Sequence, residues 1–206
     1  MARYTEPVCR LCRAEGTKLF LKGERCNTGK CAVVRRAYRP GQHGQARQKV
    51  SEYGVRLKEK QKMRRIYGIL EKQFYKYYDI ASRSTGVTGE RMLQQLELRL
   101  DNVIYRMGFA PSRSMARQIV RHGHVLINGK RLDIPSAQIK AGATIAITDK
   151  AKAFVKTVRE GMGPTLVPGW LSTDHDALTG TVLSVPRRDE IDTSVHENLV
   201  IEFYAR

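Results

Sequence analysis

The residues best equipped for chemistry lie near the start of the sequence: Cys9, Cys12, Cys26 and Cys31, arranged Cys-x2-Cys-x13-Cys-x4-Cys. A pair of thiolates two to four residues apart supplies two metal ligands from one tight turn, and the loop between the pairs is long enough to bring both to one ion. The pattern predicts tetrahedral zinc with sulfur ligands at about 2.3 Å, free or redox-active thiols being the other reading. An iron–sulfur cluster accepts the same four ligands, and spacing does not separate the two. Four protein ligands leave no open position, so such a site would hold the arm together rather than activate water. Lys22-Gly23-Glu24-Arg25 and Asn27-Thr28-Gly29-Lys30 surround the second pair with turn formers and with positive charge, which favours thiolate. Structural zinc contributes about 10–16 kcal/mol in small modules, as much as the roughly 5–15 kcal/mol stability of a whole domain. Metal removal is therefore expected to unfold residues 1 to 45.

Arg113, Arg117 and Arg121 recur every four residues, which stacks three guanidinium groups along one helix face. A solvated stripe is the plain reading of such a row. No Glu or Asp occurs between Asn102 and Leu132, however, so the three are expected to lack local partners and to match phosphate geometry instead. His122-Gly123-His124 reads as a helix stop followed by a strand start, and Asp174-His175-Asp176 as a polar loop. The sequence contains no Walker loop, dinucleotide fingerprint or nucleophile elbow.

The elements that must carry these groups follow from periodicity. The first fifty residues show no sustained period, and Arg35-Arg36-Ala37-Tyr38-Arg39-Pro40-Gly41-Gln42-His43-Gly44-Gln45 is too rich in Pro and Gly for a helix. Helical signals begin after Ser51, a good N-cap. Tyr67, Leu70, Phe74 and Tyr78 share one face, while Lys58, Lys60, Lys62, Arg64 and Arg65 crowd the preceding turns. An amphipathic helix is predicted from about Glu90 to Met107, carrying Leu93, Leu96, Leu100, Val103 and Met107 and capped by Gly108. Ser112 can cap a second helix with Met115, Ile119 and Val120 inward, stopped by Gly123. From His124 the period becomes two, and Asn128-Gly129 suits a tight hairpin turn. Further strands are predicted at Thr144–Ile147, Thr181–Val185 and Leu199–Tyr204. Helices first and short strands after make an α+β chain.

At 206 residues there is room for one medium domain or two small ones, and 41% hydrophobic residues indicate a globular chain. The net charge of +17 demands a polyanionic partner. That charge is +13 over residues 1 to 90, +6 over 91 to 150 and −2 over the remainder, so the partner is expected to meet the first three-quarters of the chain. The N-terminus lacks the apolar core of a secretory signal, and no stretch approaches the ~18 apolar residues of a membrane span, so a cytoplasmic protein is expected.

Arg99-Leu100-Asp101-Asn102-Val103-Ile104-Tyr105-Arg106-Met107-Gly108-Phe109-Ala110, with Ser112-Arg113, Ala116-Arg117-Gln118-Ile119-Val120, His122-Gly123-His124-Val125 and Ile127-Asn128-Gly129-Lys130, resembles the αL RNA-binding module. Cys9-Arg10-Leu11-Cys12, Arg39-Pro40-Gly41-Gln42-His43-Gly44, Glu59-Lys60-Gln61-Lys62-Met63-Arg64-Arg65-Ile66-Tyr67-Gly68 and Val200-Ile201-Glu202-Phe203-Tyr204-Ala205-Arg206 extend the likeness to the family of bacterial small-subunit ribosomal protein S-four. Only about residues 151 to 186 fall outside it. The resemblance implies a metal-bound arm over 1–45, an all-helical domain over 46–92 completed by 187–206, and an inserted αL domain over 93–186 made of a helical hairpin and a small antiparallel sheet. It also implies a structural, non-enzymatic constituent of the ribosome in the cytoplasm. Such a protein binds small-subunit ribosomal RNA first, nucleates assembly of the subunit body and contributes to decoding accuracy. Its partners in the family are ribosomal protein S-five, other small-subunit proteins and, for some members, their own messenger RNA; neither a membrane nor a small-molecule substrate is implied.

Phosphate contact is assigned to Arg35, Arg36, Arg39 and Arg47 in the arm, to Lys58, Lys62, Arg64 and Arg65, and to Arg113, Arg117 and Arg121, with Tyr38 and His43 stacking on exposed bases. Shape recognition of a folded junction goes with these contacts, because the A-form major groove is too narrow for side chains to read. One rival is an RNA-modifying enzyme, since αL modules also occur fused to pseudouridine synthases; about fifty residues after the module are too few for a catalytic domain. Another is a zinc-containing DNA-binding regulator, which needs a helix with Asn, Gln and Arg aimed at base edges.

Overall fold

A computed structural model describes residues 3–46 and 49–205. In chain order the elements are α1 (Cys9–Glu15), a 3-10 turn (Gly23–Cys26), α2 (Ala32–Arg35), α3 (Glu52–Ile66), α4 (Glu71–Ser82), α5 (Thr88–Glu97), α6 (Leu100–Arg106), α7 (Arg113–Arg121), β1 (Val125–Ile127), β2 (Lys130–Arg131), β3 (Thr144–Ile147), α8 (Asp149–Glu160), β4 (Leu171–Asp174), β5 (Thr179–Val182) and α9 (Glu197–Tyr204). The chain is α+β and divides into two compact units, Met1–Met92 with Thr193–Arg206, and Leu93–Asp192.

The first unit is helical. Ser51 caps α3 as its sequence position suggests, its Oγ accepting from the Gly54 amide at 3.2 Å. The helix ends where Gly68 adopts φ +64°, a left-handed conformation that lets the Ile69 amide return to the Arg64 carbonyl at 3.1 Å. Tyr67, Leu70, Phe74 and Tyr78 therefore do not share one helix face, contrary to the periodicity: Tyr67 precedes the break and only the last two lie within α4.

The closing segment corrects a second expectation. Leu199–Tyr204 is not a strand but part of α9, which packs on α3. The His196 amide donates to Glu59 Oε1 at 2.8 Å, Arg56 Nε reaches Glu202 Oε2 at 2.7 Å, and Val200 is wholly buried with Met63 and Phe74. Docking of this face outweighs the strand preference of the Val-Ile-Glu-Phe-Tyr segment.

The second unit sets helices against a five-stranded antiparallel sheet of order β2-β1-β3-β5-β4. Its core joins Leu100, Val103 and Ile104 of α6 and Met107 just after it, Ile119 and Val120 of α7, Val125, Ile145, Ile147 and Val182 of the sheet, Val155 of α8, and Trp170. Asn128 (φ 49°) and Gly129 (φ 79°) form the β1–β2 turn, and the Asn128 side chain accepts from the Thr144 amide at 2.9 Å, tying the turn to β3. The strand expected at Thr181–Val185 runs instead over Thr179–Val182, paired with β4.

The single amphipathic helix expected from Glu90 to Met107 is two helices. Arg99 is extended (φ −66°, ψ 138°), and the groups freed there bond elsewhere. The Leu100 amide donates to the Ala137 carbonyl (2.9 Å), the Asp101 amide to the Pro135 carbonyl (3.1 Å), and the Ile139 amide to the Leu98 carbonyl (2.9 Å). These three bonds partner backbone groups that the break frees, so the chain can bend here while Leu96 and Leu100 both stay buried.

Candidate nucleic-acid interface

The four cysteines of the arm line one small cavity together with Leu21, Lys22 and Arg25. None is in a disulfide; Cys12, Cys26 and Cys31 are buried and Cys9 is half-buried. At Cys12 and Cys26 the flanking cations do not dominate as their sequence neighbourhood suggests. Burial pushes Cys12 and Cys26 up, and the neighbouring cysteines push the same way; the Leu19 and Lys22 amides oppose this without reversing it. The donor set is that of a thiolate site. Among the described residues, however, no three His, Cys, Asp or Glu side chains form a group able to hold a metal ion.

Downstream of the cavity the basic segment is arranged around Arg13, which no sequence signal singled out. Its Nε donates to the Tyr38 carbonyl at 3.0 Å, its NH2 to the Arg39 carbonyl at 3.2 Å, and its guanidinium lies over the Tyr38 ring, 4.9 Å from the centroid. Arg35, Arg36 and His43 are exposed. Arg35 Nε donates to the Gly29 carbonyl at 3.3 Å, which closes the second cysteine loop. Arg47 lies outside the described residues.

On α3 the cations are less free than their density implies. Lys62 pairs with Glu59 at 3.2 Å, Arg64 with Gln61 at 2.9 Å and Glu71 at 3.7 Å, and Arg65 with Glu15. Burial raises the Glu15 carboxyl although Arg65, through charge and hydrogen bonding, pulls it down. Lys58 is half-buried and makes no hydrogen bond or ion pair among the described residues.

The arginine row of α7 requires a correction. Arg117 NH1 donates to Asp101 Oδ2 at 3.0 Å, and Arg113 Nε donates to Asn102 Oδ1 at 2.7 Å while its guanidinium covers the Tyr105 ring at 4.5 Å. Both partners sit in the first turn of α6, just upstream of the acid-free stretch, and packing of α6 on α7 brings them together. Asp101 also holds Arg99 in a two-point bond (3.0 and 2.7 Å), and buried Glu97 holds Arg106 likewise (2.9 and 2.8 Å). Asn102 links the halves by donating to Glu97 Oε2 at 2.8 Å.

Arg121 differs from its two helix mates: it is exposed and makes no hydrogen bond or ion pair among the described residues. Beside it, Arg131 NH2 reaches the His122 carbonyl at 3.4 Å, and Lys130 and Arg131 are exposed on the hairpin. His122 ends α7 and His124 precedes β1, their rings 5.9 Å apart. Asp174 Oδ1 accepts from the Asp176 and Ala177 amides at 2.9 and 3.0 Å, so Asp174-His175-Asp176 is a turn between β4 and β5. Among the described residues no helix is long and apolar enough to cross a membrane.

Two family models match this chain: the ribosomal protein S4/S9 N-terminal domain over residues 3–97, and the S4 domain over residues 98–145. They meet at the break between α5 and α6. The chain is 56% identical over 208 residues to the small ribosomal subunit protein uS4 of Heliobacterium modesticaldum, covering all of both chains. It is 56% identical over 208 residues to uS4A of Symbiobacterium thermophilum and 55% identical over 206 residues to uS4 of Dictyoglomus turgidum, again over the full length of each.

Proposed function

Because the chain belongs to the uS4 family of small ribosomal subunit proteins, we propose that it is a structural, non-catalytic constituent of that subunit which grips folded ribosomal RNA through its arm and the outer end of α7. The observation that carries this reading is the division of the basic residues into two kinds. Arg99, Arg106, Arg113 and Arg117 are engaged with Glu97, Asp101 and Asn102, whereas Arg35, Arg36 and Arg121 are exposed to meet phosphates.

Arg39, Lys58, Lys62, Arg64 and Arg65 add to the cationic field, and Tyr38 and His43 offer rings to unstacked bases. Arg113 and Arg117 act mainly by holding α7 so that Arg121 is presented from a rigid element. With six to ten phosphates engaged, affinity falls roughly 10³- to 10⁵-fold between 50 and 200 mM salt. Titration of the full-length protein with small-subunit ribosomal RNA, against duplex DNA as competitor, tests this. A flat salt response or equal affinity for the DNA overturns it.

We further propose that Cys9, Cys12, Cys26 and Cys31, which line one cavity without forming a ready-made ligand group, close on one structural metal ion, zinc being the natural choice for four thiolates and an iron–sulfur cluster the alternative. Bound there, it would cross-link α1 to the second cysteine loop, and the thiols raised by burial would surrender their protons on binding. The family also motivates early binding during subunit assembly, a place beside ribosomal protein S-five, an influence on decoding accuracy and binding to the protein's own messenger RNA. Assembly and misreading assays with subunits reconstituted without this chain test the first and third.

A further inference from the structure

We propose that Arg13 is the positioning residue of the arm's RNA-binding loop, a role that rests on the reading of that loop as an RNA contact. Three interactions converge on one guanidinium. Two donate to successive carbonyls, those of Tyr38 and Arg39, and the third lays the planar group on the Tyr38 ring. Successive carbonyls outside a helix point in different directions, so holding both fixes the rotation of the backbone between them. The Arg39 carbonyl is also the point on which the loop folds back: a Cβ at Gly44 would stand 2.0 Å from that oxygen, and Gly41 takes φ +102° to make the turn. Arg13 thus anchors the loop at the same atom around which it closes.

The consequence is an open cleft between the end of α1 and the loop, lined by Arg13, Glu15, Gly16, Tyr38, Arg39 and Gly44 among others. One face of Tyr38 is occupied by Arg13, and the residue remains 38% exposed. An unstacked RNA base laid on the accessible part of the ring would complete a stack of guanidinium, phenol and base, with Arg39 beside its phosphate. Arg13 itself follows Cys12 in α1, so the loop's geometry is tied directly to the cysteine cavity.

The test uses full-length protein and small-subunit ribosomal RNA, with Arg13→Ala, Arg13→Lys, Tyr38→Leu, Arg39→Ala and the double change Arg13→Ala/Tyr38→Leu, each checked for native helical content. Arg13→Ala is expected to weaken binding about tenfold or more, in keeping with the loss of charged hydrogen bonds. Arg13→Lys should not rescue it, because an ammonium cannot lie flat on a ring while serving two diverging carbonyls. The double variant should bind no worse than the poorer single one, since both changes release the same loop. Full rescue by lysine, or additive losses, would mean that Arg13 is a simple phosphate contact and overturns the proposal. If Arg39→Ala weakens binding while both Arg13→Ala and Tyr38→Leu leave it intact, positioning by Arg13 is wrong although the loop does touch RNA. If Arg39→Ala and the Arg13 variants all bind as the parent does, the loop makes no RNA contact, and the functional reading on which the proposal rests fails with it.

Discussion

Asn102 stands with its side-chain oxygen 2.7 Å from Arg113 Nε and its amide nitrogen 2.8 Å from Glu97 Oε2, so one neutral residue in α6 receives a cation from α7 and returns a hydrogen bond to the acid that ends α5. Its side chain has both polar atoms engaged in a region where water does not reach, and a buried amide with both ends satisfied fixes one arrangement of three helices.

Substituting Glu97 tests how far this network holds the second unit together. Its side chain is fully buried and takes both Arg106 and Asn102, so Glu97→Ala leaves a largely buried guanidinium without its counter-charge. A loss of about 3–5 kcal/mol in urea unfolding is expected. A loss below about 1 kcal/mol would mean that the network is dispensable to folding.

Arg121 should behave in the opposite way. Arg121→Ala is expected to change stability by less than about 0.5 kcal/mol, as exposed sites usually do, yet to weaken binding of small-subunit ribosomal RNA and lower the slope of log affinity against log salt by about one. Paired urea melts and salt titrations read both quantities, and an unchanged slope removes Arg121 from the interface.

Acid should attack the junction of α4 and α9 through Glu71. Burial raises this carboxyl, but hydrogen bonds from Lys60 (2.8 Å) and Tyr204 (2.6 Å), with the charges of Lys60 and Arg64, outweigh it and hold Glu71 below its ordinary value. Burial and the same acid raise the Tyr204 hydroxyl, keeping it a donor throughout the neutral range. A carboxyl with a depressed folded pKa stabilises the fold above its unfolded value, near 4.5, and loses that contribution as pH falls through the folded value. Glu71→Gln should therefore lower Tm at pH 7, with the gap to the parent closing as pH falls below the ordinary carboxyl value and through the depressed folded one. A gap independent of pH would assign the loss to packing.

Metal content offers the clearest test of the cysteine cavity. One ion per chain is expected, with Cys26→Ser or a strong chelator lowering stability and dispersing the amide signals of residues 9–35 while those of Leu93–Asp192 stay in place. Metal-free preparations with unchanged arm spectra would remove the metal from the proposal.

Features governed by neighbours in sequence were legible in advance. Ser51 and Ser112 cap their helices, Gly108 and Gly123 turn left-handed after α6 and α7, and Asn128-Gly129 makes the hairpin. Features decided by distant atoms were not. The apolar repeat through Leu96, Leu100 and Val103 reads as unbroken because the carbonyls of Pro135 and Ala137, which capture the interrupted backbone, lie more than thirty residues away. The strand-like letters of α9 are overruled by α3 in the same fashion. Helix α8 did carry a signal in Ala151, Val155 and Val158, three and four residues apart, which the neighbouring β pattern obscured. At the site, the arginine spacing on α7 was plain, whereas the partners of Arg113 and Arg117 and the clamp made by Arg13 depend on tertiary approach.

The docking of α9 on α3 also imposes a timetable on synthesis. Leu93–Asp192 is contiguous and can gather its strands and helices as soon as it leaves the exit tunnel, but the helical unit around Met63 lacks Val200, Phe203 and Tyr204 until translation has passed them. Helix α3 is therefore made early and completed last, an interval in which residues 1 to 90, carrying +13 of the nascent chain's charge, are exposed to whatever polyanion lies nearby.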